Sequence, residues 1–287
     1  MTPVGRDGAG RVHLTVQRDP ATGAQHVSLD GPLFEAAWQN EVATAAAGTA
    51  HGVLAGAPTL ERVVALARNA MDAAARLIDG LLARAPAGAV ACRAGCDHCC
   101  YQSVGVTPPE ALAIFDHLSA TRSDAELERV AAHVAAHRAR TRGLSTAERF
   151  SPAHPCAFLD TASGRCTIYE VRPLSCRGMN SLDAGECERR LREPAARAAF
   201  LAEGVGGHSF MEPIRAFHAV SAGLQLGVAE LYGLDMRPLD LSAALDLLLN
   251  GPAAIPDEWI AGGTSFESAR GGDATDAPGL REISGRL

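Results

Sequence analysis

Lysine is absent from this 287-residue chain; all 26 basic residues are arginine. That absence removes every lysine-based mechanism, Schiff bases included. A net charge of −7 also argues against general nucleic-acid binding, which needs a basic face. No apolar run approaches the roughly 20 residues that a membrane-spanning helix requires. Met1 to Gly10 is polar and glycine-rich, without the apolar core of a signal peptide. The expected location is therefore cytoplasmic, in the cytosol where thiols stay reduced. No internal repeat is present. Residues 1–89 and 190–287 hold no G-x-G-x-x-G nucleotide loop, and Gly204-Val205-Gly206-Gly207 reads as a bare loop. A hydrophobic fraction of 47% and a charged fraction of 21% are those of an ordinary globular protein with ample core.

Cysteine is missing everywhere except residues 92–187, where eight are gathered. Cys92, Cys96, Cys99 and Cys100 lie in C-R-A-G-C-D-H-C-C; Cys156, Cys166, Cys176 and Cys187 follow. Thiols concentrated this way are most economically read as metal or cluster ligands. Disulfides would suit a secreted chain. The Cys92-x-x-x-Cys96-x-x-Cys99 spacing is also the cluster motif of radical S-adenosylmethionine enzymes. Those place it early in a partial βα barrel, whereas capped helices follow it here. Cys96-x-x-Cys99 alone could be a dithiol redox pair, but no thioredoxin-like βαβ pattern surrounds it. Metal ligation by both halves is the expected chemistry. Adjacent Cys99 and Cys100 point in different directions, so ligands of the two halves are expected to be shared between sites. Closing the loop of about 56 residues from Cys100 to Cys156 costs roughly 3–4 kcal/mol. Structural zinc binding supplies roughly 10–16 kcal/mol. All-thiolate ligation suits zinc or an iron–sulfur cluster, and spacing does not choose between them. Arg93, Arg165, Arg172 and Arg177 stand beside ligands and could offset thiolate charge. His98 is read as a neighbour of the ligands that could replace one thiolate.

The remaining sequence predicts a mainly α protein. Alternating Val12, Leu14 and Val16, then Val27 and Leu29, around Asp19-Pro20-Ala21-Thr22-Gly23 predict a β-hairpin over 11–30. A helix is expected from Pro32 to Gly48, with Phe34, Trp38 and Val42 on one face, and a longer one from Leu60 to Arg84. Thr107-Pro108-Pro109-Glu110 and Ser123 with Glu126 are capping boxes. After Ser123, Leu127, Val130 and Val134 should face inward, and His133, His137, Arg138 and Arg140 outward. A short hairpin should present Cys156 and Cys166, a brief helix from Pro173 Cys176, and a helix capped by Asp183 Cys187. Pro213 to Leu231 is expected to be amphipathic, and Asp240 to Asn250 a helix stopped by Gly251. From about Gly262 a loose tail is expected.

The string C-x-x-x-C-x-x-C-C, then T-P-P-E, C-A-F-L and G-R-C-T-I-Y-E-x-R-P-L-S-C-R, resembles the YkgJ-type cysteine-cluster family over about residues 90–190. The resemblance implies a zinc- or iron-chelating domain. A similar domain in flagellin lysine N-methylases implies an iron–sulfur cluster there. The resulting expectation is a helical domain built around an irregular cysteine-rich metal-binding module, with a small N-terminal β-hairpin. Its units are 1–56 (hairpin and helix), 57–250 (helical, containing the module) and 251–287 (tail). Two functions are carried forward. The first is a metal-binding protein whose eight cysteines hold zinc or an iron–sulfur cluster in a structural or electron-transfer role. The second is a metal- or cluster-dependent redox or protein-modifying enzyme, with Tyr169, Glu170, Arg172 and Arg177 lining its site. The partner expected is the metal itself, without nucleic acid or membrane; any protein partner is undefined by the sequence.

Overall fold

The structure, a computed structural model, describes residues 12–203 and 208–270. The expected hairpin forms from β1 (Leu14–Arg18) and β2 (Gln25–Leu29), antiparallel with Val16 opposite Val27. Its turn is fixed by the Asp19 carboxylate, which accepts from the backbone N–H of Ala21 at 2.8 Å. The first helix, α1, spans Ala37–Leu54 and so is shifted towards the C-terminus of the expected span. The reason lies in Asn40, whose side chain accepts from the N–H groups of Leu33 and Phe34 and donates to the carbonyls of Phe34 and Ala36. Those bonds hold the segment before the helix as a loop. Gly48 does not end α1, because Ala50 and Leu54 beyond it are fully buried, which outweighs the roughly 1 kcal/mol cost of a helical glycine.

α2 (Leu60–Leu82) is capped by Thr59 and buries Val63, Ala67, Ala70, Met71, Ala74 and Ile78 of the expected apolar stripe, while Leu60, expected on the same face, is exposed at the helix start. β3 (Gly105–Val106) leads into α3 (Pro108–Thr121), and α4 (Asp124–Thr141) follows; both expected capping boxes are present. On α4, Val134 faces inward and His133 and Arg140 are exposed, as expected. His137, expected outward, is instead buried, and Arg138 reaches across to Asp246 at 2.8 Å. α10 packs against α4 and covers that face, a contact no local pattern announces. The short α5 (Thr146–Arg149), β4 (Leu159–Asp160), β5 (Arg165–Cys166), α6 (Leu174–Gly178) and α7 (Ala184–Arg192) complete the cysteine region, and α8 (Pro194–Glu203) follows.

α9 (Met211–Tyr232) corrects the expectation of an amphipathic helix, for it is buried on nearly every side from Pro213 to Val228. It is the central helix, flanked by α1, α2 and α6. A Cβ at Gly223 would fall 2.1 Å from the Ala43 carbonyl oxygen, so α1 and α9 touch backbone to backbone only because that residue is glycine. β6 (Leu239–Asp240) pairs with β3, setting Val106 against Leu239. α10 (Leu241–Asn250), capped by Asp240, and α11 (Ile255–Ile260) close the chain against the core. The expected loose tail is corrected as far as Arg270. Trp259, Phe266 and Ala269 are buried, Trp259 Nε1 donates to the Asp235 carbonyl, and Arg270 pairs with Asp235. The rest of that tail, the Met1 to Gly10 segment and the Gly204–Gly207 loop lie outside the described residues. Among the described residues, no helix is long and apolar enough to cross a membrane.

Candidate metal centre

Of the first four cysteines, Cys92 leads into two consecutive tight turns and Cys96, Cys99 and Cys100 sit on them. The Ala91 N–H donates to the Ser181 carbonyl at 2.8 Å and fixes where the segment begins. Cys96 N–H closes a turn on the Arg93 carbonyl at 3.0 Å, with Gly95 at φ 81°. A 3₁₀ turn over His98–Tyr101 then carries Cys99 and Cys100. With three residues per turn, neighbouring side chains diverge by about 120°, so these two sulfurs aim at different surroundings.

The second half folds back onto the first. Cys156 N–H donates to the Cys100 carbonyl at 2.7 Å. The short β4–β5 hairpin sets Cys166 opposite Leu159, α6 carries Cys176, and α7, capped by Asp183, carries Cys187, as expected; Cys156, expected on the same hairpin, lies three residues before β4 in a loop, where its N–H is taken by the Cys100 carbonyl. Gly164 in the hairpin turn has φ 66°, and a Cβ there would sit 2.7 Å from the Gly95 carbonyl oxygen. Glycine is therefore required where the two cysteine segments touch. α6 in turn is docked from the helix between the two cysteine segments: buried Glu110 caps α3 and also accepts from the Leu174 N–H at 2.8 Å.

All eight cysteines are unbridged. Cys92, Cys96, Cys99 and Cys187 line one cavity of about 50 Å³, together with His98 and Ser181. Burial pushes the Cys92 thiol up to about 11; the Ser181 N–H opposes this, and Cys96, Cys99 and Cys187 add repulsion. Cys187 is raised by burial and drawn back by the Ser181 hydroxyl and by Arg190. The other group comprises Cys156, pushed by burial up to about 12, and Cys166 and Cys176, both raised mainly by burial. Cys99 belongs to both neighbourhoods. It is raised first by its hydrogen bond with the Cys100 thiol and then by burial, and it repels Cys92 and Cys187 on one side and Cys166 and Cys176 on the other. Cys92 and Cys99 keep part of their surface open. Among the described residues, no three Cys, His, Asp or Glu side chains converge as a finished coordination sphere. The thiols neighbour one another without sharing a centre.

Of the four arginines expected to offset thiolate charge, Arg172 does so and the others do not. Arg172 draws down Cys99, Cys166 and Cys176; its guanidinium lies 4.2 Å over the Tyr169 ring, and its buried Nε has no hydrogen-bond partner. Arg190, stacked 4.4 Å over Phe200 and bonded to Glu186 at 2.9 Å, serves Cys187. Arg149, paired with Asp240 at 2.6 Å, serves Cys156. Arg93 and Arg165 are exposed. Arg177 braces a turn by donating to the carbonyls of Arg172 and Glu170. Tyr169 is 60% exposed, and Glu170 is exposed as well. Sequence reasoning missed Ser181, Arg190 and Arg149. Arg190 carried the only usable signal, since it stands one helical turn from both Glu186 and Cys187.

The donor set suits a thiophilic cation. Thiols whose pKa burial has raised ionise only against a compensating positive charge, which a bound metal supplies. Sulfur ligands of this kind select zinc or iron among common metals. The unpartnered Arg172 Nε is a donor placed where thiolate charge would develop. Residues 91–193 match the model of the CxxCxxCC family, described as a "putative zinc- or iron-chelating domain", the kind of cysteine-cluster family that the motif resembles. No curated protein and no solved structure matches the chain.

Proposed function

We propose, from the chelating-domain match over residues 91–193, that this chain binds zinc or iron through its eight cysteines and that the metal ties the two cysteine segments together. The observation that carries the reading is Cys99, whose sulfur neighbours thiols of both segments. Cys92, Cys96, Cys99 and Cys187 would form one ligand set around their shared cavity. Cys100, Cys156, Cys166 and Cys176 would form the other. Each set draws ligands from before and after α3 and α4, so each crosses the loop between the segments. The roughly 10–16 kcal/mol of structural zinc binding exceeds the roughly 3–4 kcal/mol of loop closure several-fold. When bound, zinc supplies a closed tetrahedral tie, whereas an iron–sulfur cluster supplies electron transfer as well.

The cavity lined by Cys92, Cys96, Cys99 and Cys187 has room for an ion among their sulfurs, which suits a structural or electron-transfer site. The residues assigned to a catalytic site point the same way. Tyr169 and Glu170 face solvent, and Arg177 is engaged with two carbonyls.

Purification without oxygen, followed by elemental analysis, sulfide assay and an absorption spectrum, tests the reading. Stoichiometric zinc in colourless protein, or iron with acid-labile sulfide in brown protein, supports it and names the metal. Protein that takes up neither after reduction and reconstitution would refute it.

A further inference from the structure

The segment Asn180-Ser181-Leu182 belongs to no helix or strand, yet each of its residues is held by hydrogen bonds to other parts of the chain. The Asn180 amide donates to the carbonyls of Gly178 and Phe210, while its oxygen accepts from the Phe210 N–H at 2.8 Å. The Leu182 N–H donates to the His208 carbonyl at 2.7 Å. The segment is therefore stitched to the chain that enters α9, the central helix. Ser181, in the middle, is only 5% exposed. Its carbonyl receives the Ala91 N–H, one residue before Cys92. Its hydroxyl lies 3.0 Å from the Asp183 carbonyl and 3.2 Å from that of His208. It also accepts from the N–H of Asp183, the cap of the helix that carries Cys187. Ser181 lines the same cavity as Cys92, Cys96, Cys99 and Cys187.

We propose that Ser181 is a positioning residue of the first ligand set, holding Cys92 and Cys187 to one cavity wall and donating hydrogen bonds to both sulfurs when they carry metal. The inference rests on the metal-binding reading. The bonds from the Ala91 N–H to the Ser181 carbonyl and from the Leu182 N–H to the His208 carbonyl fix the backbone on either side of Ser181, whose N–H draws down the Cys92 thiol before any ion arrives. Its hydroxyl can turn from a carbonyl to the Cys187 sulfur once that sulfur is anionic, because a hydrogen bond to a charged acceptor is roughly twice as strong as a neutral one. Both bonds remove electron density from thiolate and lower the repulsion within an all-sulfur sphere. Outer partners of this kind are worth about 10–100-fold in metal affinity.

The test uses full-length protein reconstituted with cobalt(II), whose sulfur-to-metal charge-transfer bands report on thiolate donors. Ser181→Ala keeps the backbone N–H and removes the hydroxyl. The expected results are a shift of the charge-transfer band to longer wavelength and about tenfold faster loss of metal to a chelator, with the circular dichroism of the helices unchanged. Ser181→Thr, which keeps the hydroxyl, should restore the band position. A merely structural role would alter the release rate without moving the band. Wild-type protein that binds no cobalt refutes the metal-binding reading itself. Wild-type and Ser181→Ala spectra that coincide in loaded proteins refute the role of Ser181 alone. Should Ser181→Ala lose its helical signal, the Ser181→Thr band position decides: one matching wild type supports the inference, and one displaced despite the retained hydroxyl overturns it.

Discussion

Replacing Glu110 by alanine would cut the link between the cap of α3 and the helix that carries Cys176. One carboxylate oxygen accepts from the Thr107 N–H at 2.9 Å and its hydroxyl at 2.8 Å; the other accepts from the Leu174 N–H at 2.8 Å. Hydrogen bonds to a charged group are worth about 1.5–3 kcal/mol each. Burial of the carboxyl opposes them and raises its pKa above the ordinary value, with the Leu174 and Thr107 bonds drawing it back. The net cost expected for Glu110→Ala near neutral pH is about 2–4 kcal/mol, the balance of lost bonds, two orphaned backbone donors and relief of the buried charge. Glu110→Gln should cost less, about 1–3 kcal/mol, because its amide retains one acceptor but turns a donor towards another donor. Urea denaturation of the metal-loaded protein measures both values, and thiol titration under native conditions shows whether Cys176 becomes more reactive. The raised pKa sets the sign of the pH dependence. The folded carboxyl holds its proton more tightly than the unfolded one, so its stabilisation is fully present below the ordinary glutamate value of 4.5 and declines as pH rises through the folded pKa. Glu110→Gln should lack that decline. A loss below about 0.5 kcal/mol for Glu110→Ala, with unchanged thiol reactivity, would refute the coupling of α3 to α6.

Acid should destabilise the fold through buried histidine. Burial holds His218 down at about 4, against the ordinary histidine value of 6.5. Its stabilisation is therefore present above 6.5 and lost as pH falls towards 4, by on the order of 3 kcal/mol. His218→Leu should flatten that share of the acid limb in pH-dependent melts; parallel curves for variant and wild type would contradict it. Gly164→Ala should cost about 1–3 kcal/mol and loosen metal retention, since the new Cβ strikes the Gly95 carbonyl. Gly88→Ala, also at positive φ but with open space around it, is the control for backbone strain alone. Equal losses for the two variants would mean that the contact between the cysteine segments contributes nothing.

Local chemistry in the sequence was enough to determine the helices that carry their own punctuation. Thr107 with Glu110, Ser123 with Glu126, and Asp183 before α7 satisfy orphan N–H groups within a few residues, so their effect is the same in any tertiary setting. The eight cysteines were legible as candidate ligands for a similar reason: thiols at close spacing point to a chemistry without reference to a fold. Only the tertiary structure decided what lies between distant segments. α9 is a buried central helix because α1, α2 and α6 surround it, and glycine at 223 reads as a weak helix former until Ala43 is seen against it. Phe266 and Ala269 are buried although they belong to a stretch whose composition suggests a tail. At the thiols, the effective cations are Arg172, Arg190 and Arg149 rather than Arg93 or Arg165, because proximity in sequence does not fix where a long side chain ends. The meeting of the two cysteine segments around Cys99 is likewise a three-dimensional fact. It is produced by a glycine contact, one backbone bond from Cys156 to Cys100, and the docking of α6 by Glu110, and each of these joins residues far apart in the chain.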